Sequence, residues 1–139
     1  MTVIVLDASV AVKLVSEESG SDAALERVSA AGRIIAPDWM LLEVTHALWK
    51  KAHQSRADEA VAESGVKALE QIVDTFFPAD DLLSAALSLS FRLQHPVYDC
   101  LYLALAKAEE DAIVLTADEK FARAAMQHGY GGQTELLGS

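Results

Sequence analysis

Four acidic residues, Asp7, Glu43, Asp99 and Asp118, stand at positions from which carboxylates can act together. Asp7 comes directly after the apolar run Val3-Ile4-Val5-Leu6, and Asp118 comes two residues after the run from Ala112 to Thr116. Ligands of open α/β sheets bind beyond the carboxyl ends of the strands, so both acids fall where a ligand would. Asp99 opens a helix after the break at His95-Pro96, and Glu43 lies about one turn inside a helix that follows Ile34-Ile35-Ala36. Four carboxylates in one cleft repel one another and have raised pKa values unless cations neutralise them. Hard divalent cations relieve that repulsion, and a donor set of oxygens alone suits Mg²⁺ or Mn²⁺ better than zinc.

Each acid also has a purely structural use. Asp99 and Asp118 are good helix N-caps, Thr116 with Glu119 fits a capping box, and Glu43 can lie on a solvated helix face. Asp7 is harder to explain that way, because an acid ending a buried strand is costly unless capped or coordinated. The shared edge carries the site; no single acid does.

The elements that must hold these residues are legible as alternating strands and helices. Val3 to Leu6 is unbroken and β-branched, as in a strand buried on both faces. Helices are predicted over 10–15 and 22–31, the second stopped by Gly32, and Ile34 to Ala36 is a short strand closed by Pro37. Asp38 is the expected N-cap of a helix from Trp39 to Ala52, with Leu41, Val44 and Leu48 on one face. A helix over 58–73 leads to a third strand, Thr75 to Phe77, and Asp80 or Asp81 starts the next helix. Tyr98 to Glu109 is helical, Ala112 to Thr116 is a fourth buried strand, and Glu119 to His128 is a helix ended by Gly129. Thr134 to Leu137 is expected as a short edge strand. This alternation implies one α/β domain over residues 1–139, with a mostly parallel sheet of four or five strands covered on both sides.

Composition sets the outer bounds. A chain of 139 residues, just over half of them apolar, buries enough surface to fold without a disulfide or structural metal, and Cys100 has no cysteine to pair with. No secretion signal and no membrane-spanning run is evident, so a soluble, cytoplasmic protein is expected. The net charge of −10, from 21 acids against 11 bases, argues against a nucleic-acid partner at first sight. Two divalent cations held by four of the acids would cancel the charge of the site itself. Local basic patches would still be needed to admit RNA.

Four segments carry a specific resemblance: Asp7-Ala8-Ser9-Val10, Leu41-Leu42-Glu43-Val44, the run from Tyr98 to Ala106, and Leu115-Thr116-Ala117-Asp118-Glu119-Lys120-Phe121. In this order, with an acid in each, they resemble the signature blocks of PIN domains, and most closely those of VapC-type toxins of toxin–antitoxin pairs. The resemblance spans Asp7 to Phe121, and the stretch from about Arg56 to Ala79 carries no recognisable signature. It implies a three-layer α/β/α sandwich and an endoribonuclease dependent on Mg²⁺ or Mn²⁺, one or two per protomer, held by Asp7, Glu43, Asp99 and Asp118. It also implies a homodimer and a cognate antitoxin protein that inhibits it. Ser9 and Thr116 match hydroxyl positions near the metal site. The reaction implied is hydrolysis of RNA phosphodiester bonds by a cation-activated water, with the leaving oxygen stabilised in an in-line displacement.

For substrate contact the candidates are Lys13 and Lys120, each just beyond a site acid, with Arg123, Lys50 and Lys51; solvated surface charge is the alternative for all five. Trp39 and Trp49 are expected in core or dimer packing rather than as base-stacking rings, and His46 and His53 at the surface. Cys100, in an apolar helix, reads as a small buried side chain and not a nucleophile. The rival class is a phosphoacceptor domain of the receiver type, suggested by Leu115-Thr116-Ala117, although Asp7 lacks the second acid that fold needs after its first strand. A PIN fold without catalysis and an aspartyl phosphatase are weaker readings; the latter would want an acid where Ser9 stands.

Overall fold

The fold is seen in a computed structural model that describes residues 2–55 and 58–138. Strands β1 (Val3–Leu6), β2 (Arg33–Pro37), β3 (Thr75–Phe77), β4 (Ala112–Thr116) and β5 (Thr134–Leu136) form one sheet in the order β3-β2-β1-β4-β5. Every pairing is parallel, including that of the edge strand β5 with β4. The apolar runs become strands because both faces of the sheet are covered: Ile4, Val5, Leu6, Ile35, Val114 and Leu115 are fully buried.

Helices α1 (Ala8–Val15), α2 (Ser21–Ser29), α3 (Trp39–Ser55) and α4 (Glu59–Ile72) carry the chain from β1 to β3 and pack on one another. Helices α5 (Leu83–Leu93), α6 (Val97–Ala108) and α7 (Glu119–Gln127) belong to the connections that run back past β1 to β4 and on to β5. Parallel crossovers are right-handed, so reversing the direction of travel along the sheet puts the second set on the opposite face. The result is a three-layer α/β/α sandwich with a five-stranded parallel sheet, as expected. The order also separates this fold from the receiver type, whose strands run 2-1-3-4-5.

Three local expectations are corrected. The helix expected to start at Asp80 or Asp81 begins instead as a short 3-10 turn, Ala79–Leu82, and becomes α-helical at Leu83. The Asp38 side chain accepts from the Ala79 N–H at 2.9 Å, pinning that turn to the end of β2 instead of serving α3. Thr116 does not form a capping box with Glu119; Asp118 is the N-cap of α7, its Oδ1 accepting from Phe121 N at 3.1 Å.

Helix α4 lies close against its neighbours through Gly65, where an added Cβ would come within 3.1 Å of Leu48 Cδ1 and 3.4 Å of Val15 Cβ. A branched side chain there must displace two partners at once. Gly65→Val is expected to lower the urea unfolding free energy by about 1–3 kcal/mol through overpacking. An unchanged midpoint would show that α4 can drift outward freely.

Candidate functional site

The sheet reverses its direction of winding between β1 and β4, and that switch point is where an open α/β sheet forms its ligand crevice. All four acids lie there, each at the start of a helix: Asp7 is the N-cap of α1, Glu43 the fifth residue of α3, Asp99 the third of α6, and Asp118 the N-cap of α7. Helices α1, α3 and α7 follow strands and α6 precedes one, yet all four begin at the same edge of the sheet. Their N-terminal dipoles face the acids, which favours negative charge there.

Asp7 is the most constrained. It is 4% exposed and its carboxylate oxygen Oδ2 accepts from Ser9 Oγ at 2.5 Å and from Thr116 Oγ1 at 2.7 Å. Those hydroxyls are themselves held, Ser9 Oγ accepting from Ala117 N at 2.8 Å and Thr116 Oγ1 from Asp118 N at 3.1 Å. The hydroxyl pair thus joins the end of β1 to the end of β4. Burial pushes the Asp7 carboxyl up to about 6; the two hydroxyl bonds work downward, and Asp99 and Asp118 add to the rise.

Glu43 accepts from the Tyr102 hydroxyl at 2.6 Å. Burial raises its carboxyl to about 7 against the Tyr102 bond, with Asp7 and Asp99 adding to the rise. Tyr102 is fully buried, and its burial beside Asp7 and Glu43 keeps the phenol protonated. Asp99 is hydrogen-bonded through Oδ2 to His95 Nε2 at 2.6 Å; burial raises its carboxyl, His95 works the other way, and Asp118 adds to the rise. Ligand atoms of His95, Asp99 and Asp118 lie within 4.8 Å of one another. Burial first, and then repulsion of Asp7 by Asp99 and Asp118, of Glu43 by Asp7 and Asp99, and of Asp99 by Asp118, raises three of these carboxyls, and such a donor set fits a hard divalent cation.

Tyr102 and His95 are the site residues that sequence reasoning missed. Tyr102 stands one turn beyond Asp99 within an apolar stripe, where a buried phenol needs a partner. His95 stands one turn before Asp99, where His95-Pro96 reads as a helix break and the ring is weighed only as a base for Cys100. The spacing was the available signal in both cases.

The basic candidates divide. Lys13 is not free at the rim of the cleft: its ammonium donates to Glu18 at 3.1 Å and to the Ser19 carbonyl at 2.6 Å. Lys51 closes on the same Glu18. Lys50, Lys120 and Arg123 are exposed and have no ion pair among the described residues, although Arg123 lines a cavity that contains none of the four acids. Trp49 is not a core residue; it is 57% exposed and its ring stacks between His46 and His53. Trp39 stacks on Tyr98. Cys100 is buried, with its thiol pushed up to about 11 by burial and Asp99, which suits packing and not nucleophilic attack.

The raised carboxyls make a stability prediction for the cation-free protein. Below its folded-state pKa each acid is protonated and its burial costs little; as pH rises, the unfolded chain gives up the proton first, so stability falls. The window runs from 3.8 to about 6 for Asp7 and from 4.5 to about 7 for Glu43. For Asp7 the loss is on the order of 3 kcal/mol. Thermal unfolding with chelator is expected to show a Tm that drops between about pH 4 and 7, a shallower drop in Asp7→Asn, and a Mn²⁺-induced rise greater at the higher pH. An unchanged slope in Asp7→Asn would count against the burial of this charge.

Comparison with known proteins agrees with the geometry. The PIN domain family matches residues 4–126, which contain all four acids. Two curated relatives, Ribonuclease VapC1 of Mycobacterium tuberculosis strains CDC 1551 / Oshkosh and ATCC 25618 / H37Rv, are each 30% identical over 122 residues, covering 86% of this chain and 89% of theirs. Among solved structures, that of PAE2754 from Pyrobaculum aerophilum superposes with a TM-score of 0.68, covering 97% of this chain and 84% of that one at 19% identity, a likeness of fold. Its strand order, its acids at the switch point and the match from residue 4 to residue 126 place this chain in the PIN domain family.

Proposed function

We propose that this protein is a divalent-cation-dependent endoribonuclease, formed by one domain over residues 1–139, and the toxin of a type II toxin–antitoxin pair. The observation that carries the reading is the convergence of Asp7, Glu43, Asp99 and Asp118 at the β1/β4 switch point, in a family whose curated relatives are named ribonucleases. Asp7, Asp99 and Asp118, with Glu43, would hold one or two Mg²⁺ or Mn²⁺ ions. When bound, such ions supply Lewis-acid activation of water and charge stabilisation at the leaving oxygen of a phosphodiester.

The chain's own groups prepare that chemistry. Ser9 and Thr116 donate to one oxygen of Asp7 and so fix the direction of the other. Tyr102 does the same for Glu43. The N-cap bond from Phe121 occupies Asp118 Oδ1 and leaves Oδ2 for a ligand. Lys120, Arg123 and Lys13 are the basic candidates at the RNA, and Lys13 would have to leave its bond to Glu18 to reach it. A basic antitoxin segment would complement a chain of net charge −10. A homodimer and a cytoplasmic setting belong to the same reading, and no helix among the described residues is long and apolar enough to cross a membrane.

Purified protein, free of any partner, is expected to cleave a mixed pool of transfer and ribosomal RNA with Mg²⁺ or Mn²⁺ and not with chelator. Asp7→Asn and Asp99→Asn should each abolish cleavage while the fold survives. Thr116→Val should cost about 10- to 100-fold in cation affinity or activity, because it removes a group that orients a ligand. Retained cleavage in both Asn variants would overturn the assignment.

A further inference from the structure

The two ends of the carboxylate cluster are built differently. At one end Glu43 is held by Tyr102; at the other Asp99 faces His95 and Asp118. Among the described residues, one group of three metal-ligating side chains brings its donor atoms within 4.8 Å of one another, and it is His95, Asp99 and Asp118. No three of the four acids form such a group. The tightest donor set therefore includes a nitrogen, which the four acids read from the sequence do not supply.

The chain itself fixes the His95 ring. Its backbone N–H donates to the Ser90 carbonyl at 3.2 Å, and its carbonyl accepts from Ser90 Oγ at 2.5 Å, so the end of α5 grips the residue from both sides. Gln94, just before it, takes a left-handed φ of 53°, uncommon for a residue with a side chain, and Pro96 follows. The ring packs against Phe121 with centroids 5.3 Å apart, and the residue is 7% exposed. With the backbone tied and the ring packed, the edge carrying Nε2 is aimed at the carboxylates.

An imidazole so placed has two uses. As a hydrogen-bond partner alone it orients Asp99 and leaves every ligand an oxygen. As a ligand it gives a nitrogen lone pair to the cation that Asp99 and Asp118 hold. Orienting a carboxylate needs contact with one acid, whereas a ring nitrogen of His95 lies within 4.8 Å of oxygens from two acids, on α6 and at the start of α7. Asp118 keeps Oδ2 open, because the Phe121 N–H takes Oδ1. We propose that His95 is a nitrogen ligand of the cation held by Asp99 and Asp118, and that it turns this end of the site toward borderline transition-metal ions over Mg²⁺. The proposal rests on the cation-dependent nuclease reading and deepens it. Carboxylate oxygens suit Mg²⁺ and Mn²⁺, and an imidazole in the set favours ions later in the first transition row, Fe²⁺ above Mn²⁺ and Co²⁺ above Fe²⁺. The Glu43 end, with oxygen donors alone, keeps the preference for a hard ion.

The test uses Co²⁺ as the probe, because its visible absorption and its effect on nearby protons report the ligands directly. The protein is the full chain, untagged, carrying His46→Gln, His53→Gln and His128→Gln, three exposed positions whose replacement leaves His95 as the single histidine. Saturated with Co²⁺, it is expected to show a far-shifted, exchangeable imidazole N–H proton resonance, split by ¹⁵N in protein grown on labelled histidine. Adding His95→Gln should remove that resonance; glutamine keeps an amide able to hold Asp99, so this variant separates ligation from orientation. Competition followed at the Co²⁺ absorption band should show Co²⁺ affinity falling about 10-fold or more in His95→Gln, with Mg²⁺ affinity changing less than about threefold. Co²⁺ bound to the protein without a shifted imidazole resonance would overturn the proposal. So would an equal loss of Co²⁺ and Mg²⁺ affinity in His95→Gln, which is the mark of a group that only orients Asp99. The single-histidine spectrum decides the question even if His95→Gln does not fold. Binding of Co²⁺ and Mn²⁺ by calorimetry, with Asp99→Asn as the negative control, reports the cation site separately. Cations bound without a nitrogen ligand therefore remove this proposal alone, and absent cation binding removes the nuclease reading with it.

Discussion

Gathering like charges out of water is unfavourable, and this molecule does it with four carboxylates at one edge of a sheet. The structure around the site can be understood as the set of contacts that makes such a cluster tolerable. Asp7 is the extreme case, since it is nearly inaccessible and has the fewest alternatives to ionic or protonated burial. Its two hydroxyl partners satisfy one oxygen, the helix starts contribute favourable dipoles, and the remaining repulsion is what a divalent cation would relieve. Rigidity follows from the same arrangement. Ser9 and Thr116 bridge the strand ends as well as the carboxylate, so the acid cannot swing away without breaking bonds that hold β1 to β4.

That constraint also explains why the polar residues inside this domain are concentrated where they are. The central strands are largely aliphatic, yet Thr116 is fully buried at the end of β4 and Tyr102 is fully buried on α6. Each hydroxyl finds a carboxylate, which turns what would be a desolvation cost into a positioning bond. His95 does comparable work for Asp99 while its ring packs against Phe121. The acids are thus oriented by neighbours from other elements, and the site depends on the packing of α6 against the sheet as much as on the acids themselves.

The surplus of acids has a second consequence. A nuclease normally gathers its substrate with lysine and arginine, but here several bases serve internal bridges: Lys13 and Lys51 meet at Glu18, and Arg27 holds Glu135 through two bonds. Burial works to raise the Glu18 carboxyl, and the two lysines outweigh it and lower it. Charge that could have attracted RNA is spent joining α1, the following loop and α3.

Much of the architecture is written locally. Runs such as Val3 to Leu6 and Ala112 to Thr116 are apolar and β-branched throughout, a pattern stable only as a strand covered on both faces, and their observed bounds match. The positions of Asp7 and Asp118 after those runs follow from the same reading, because a strand end and a helix start are local events. The chain by itself does not encode which residues of distant helices meet. Tyr102 reaches Glu43 across 59 positions and Thr116 reaches Asp7 across 109, contacts set by helix packing and by strand order. Lys13 shows the converse: its spacing from Asp7 suggested the cleft, but the loop after α1 brings Glu18 back to it, and an available carboxylate takes the ammonium first. Local sequence therefore determined the elements and the acids at their ends, whereas the tertiary structure decided their partners, because hydrogen bonds and charge pairs act through distance in space, which the parallel crossovers alone establish.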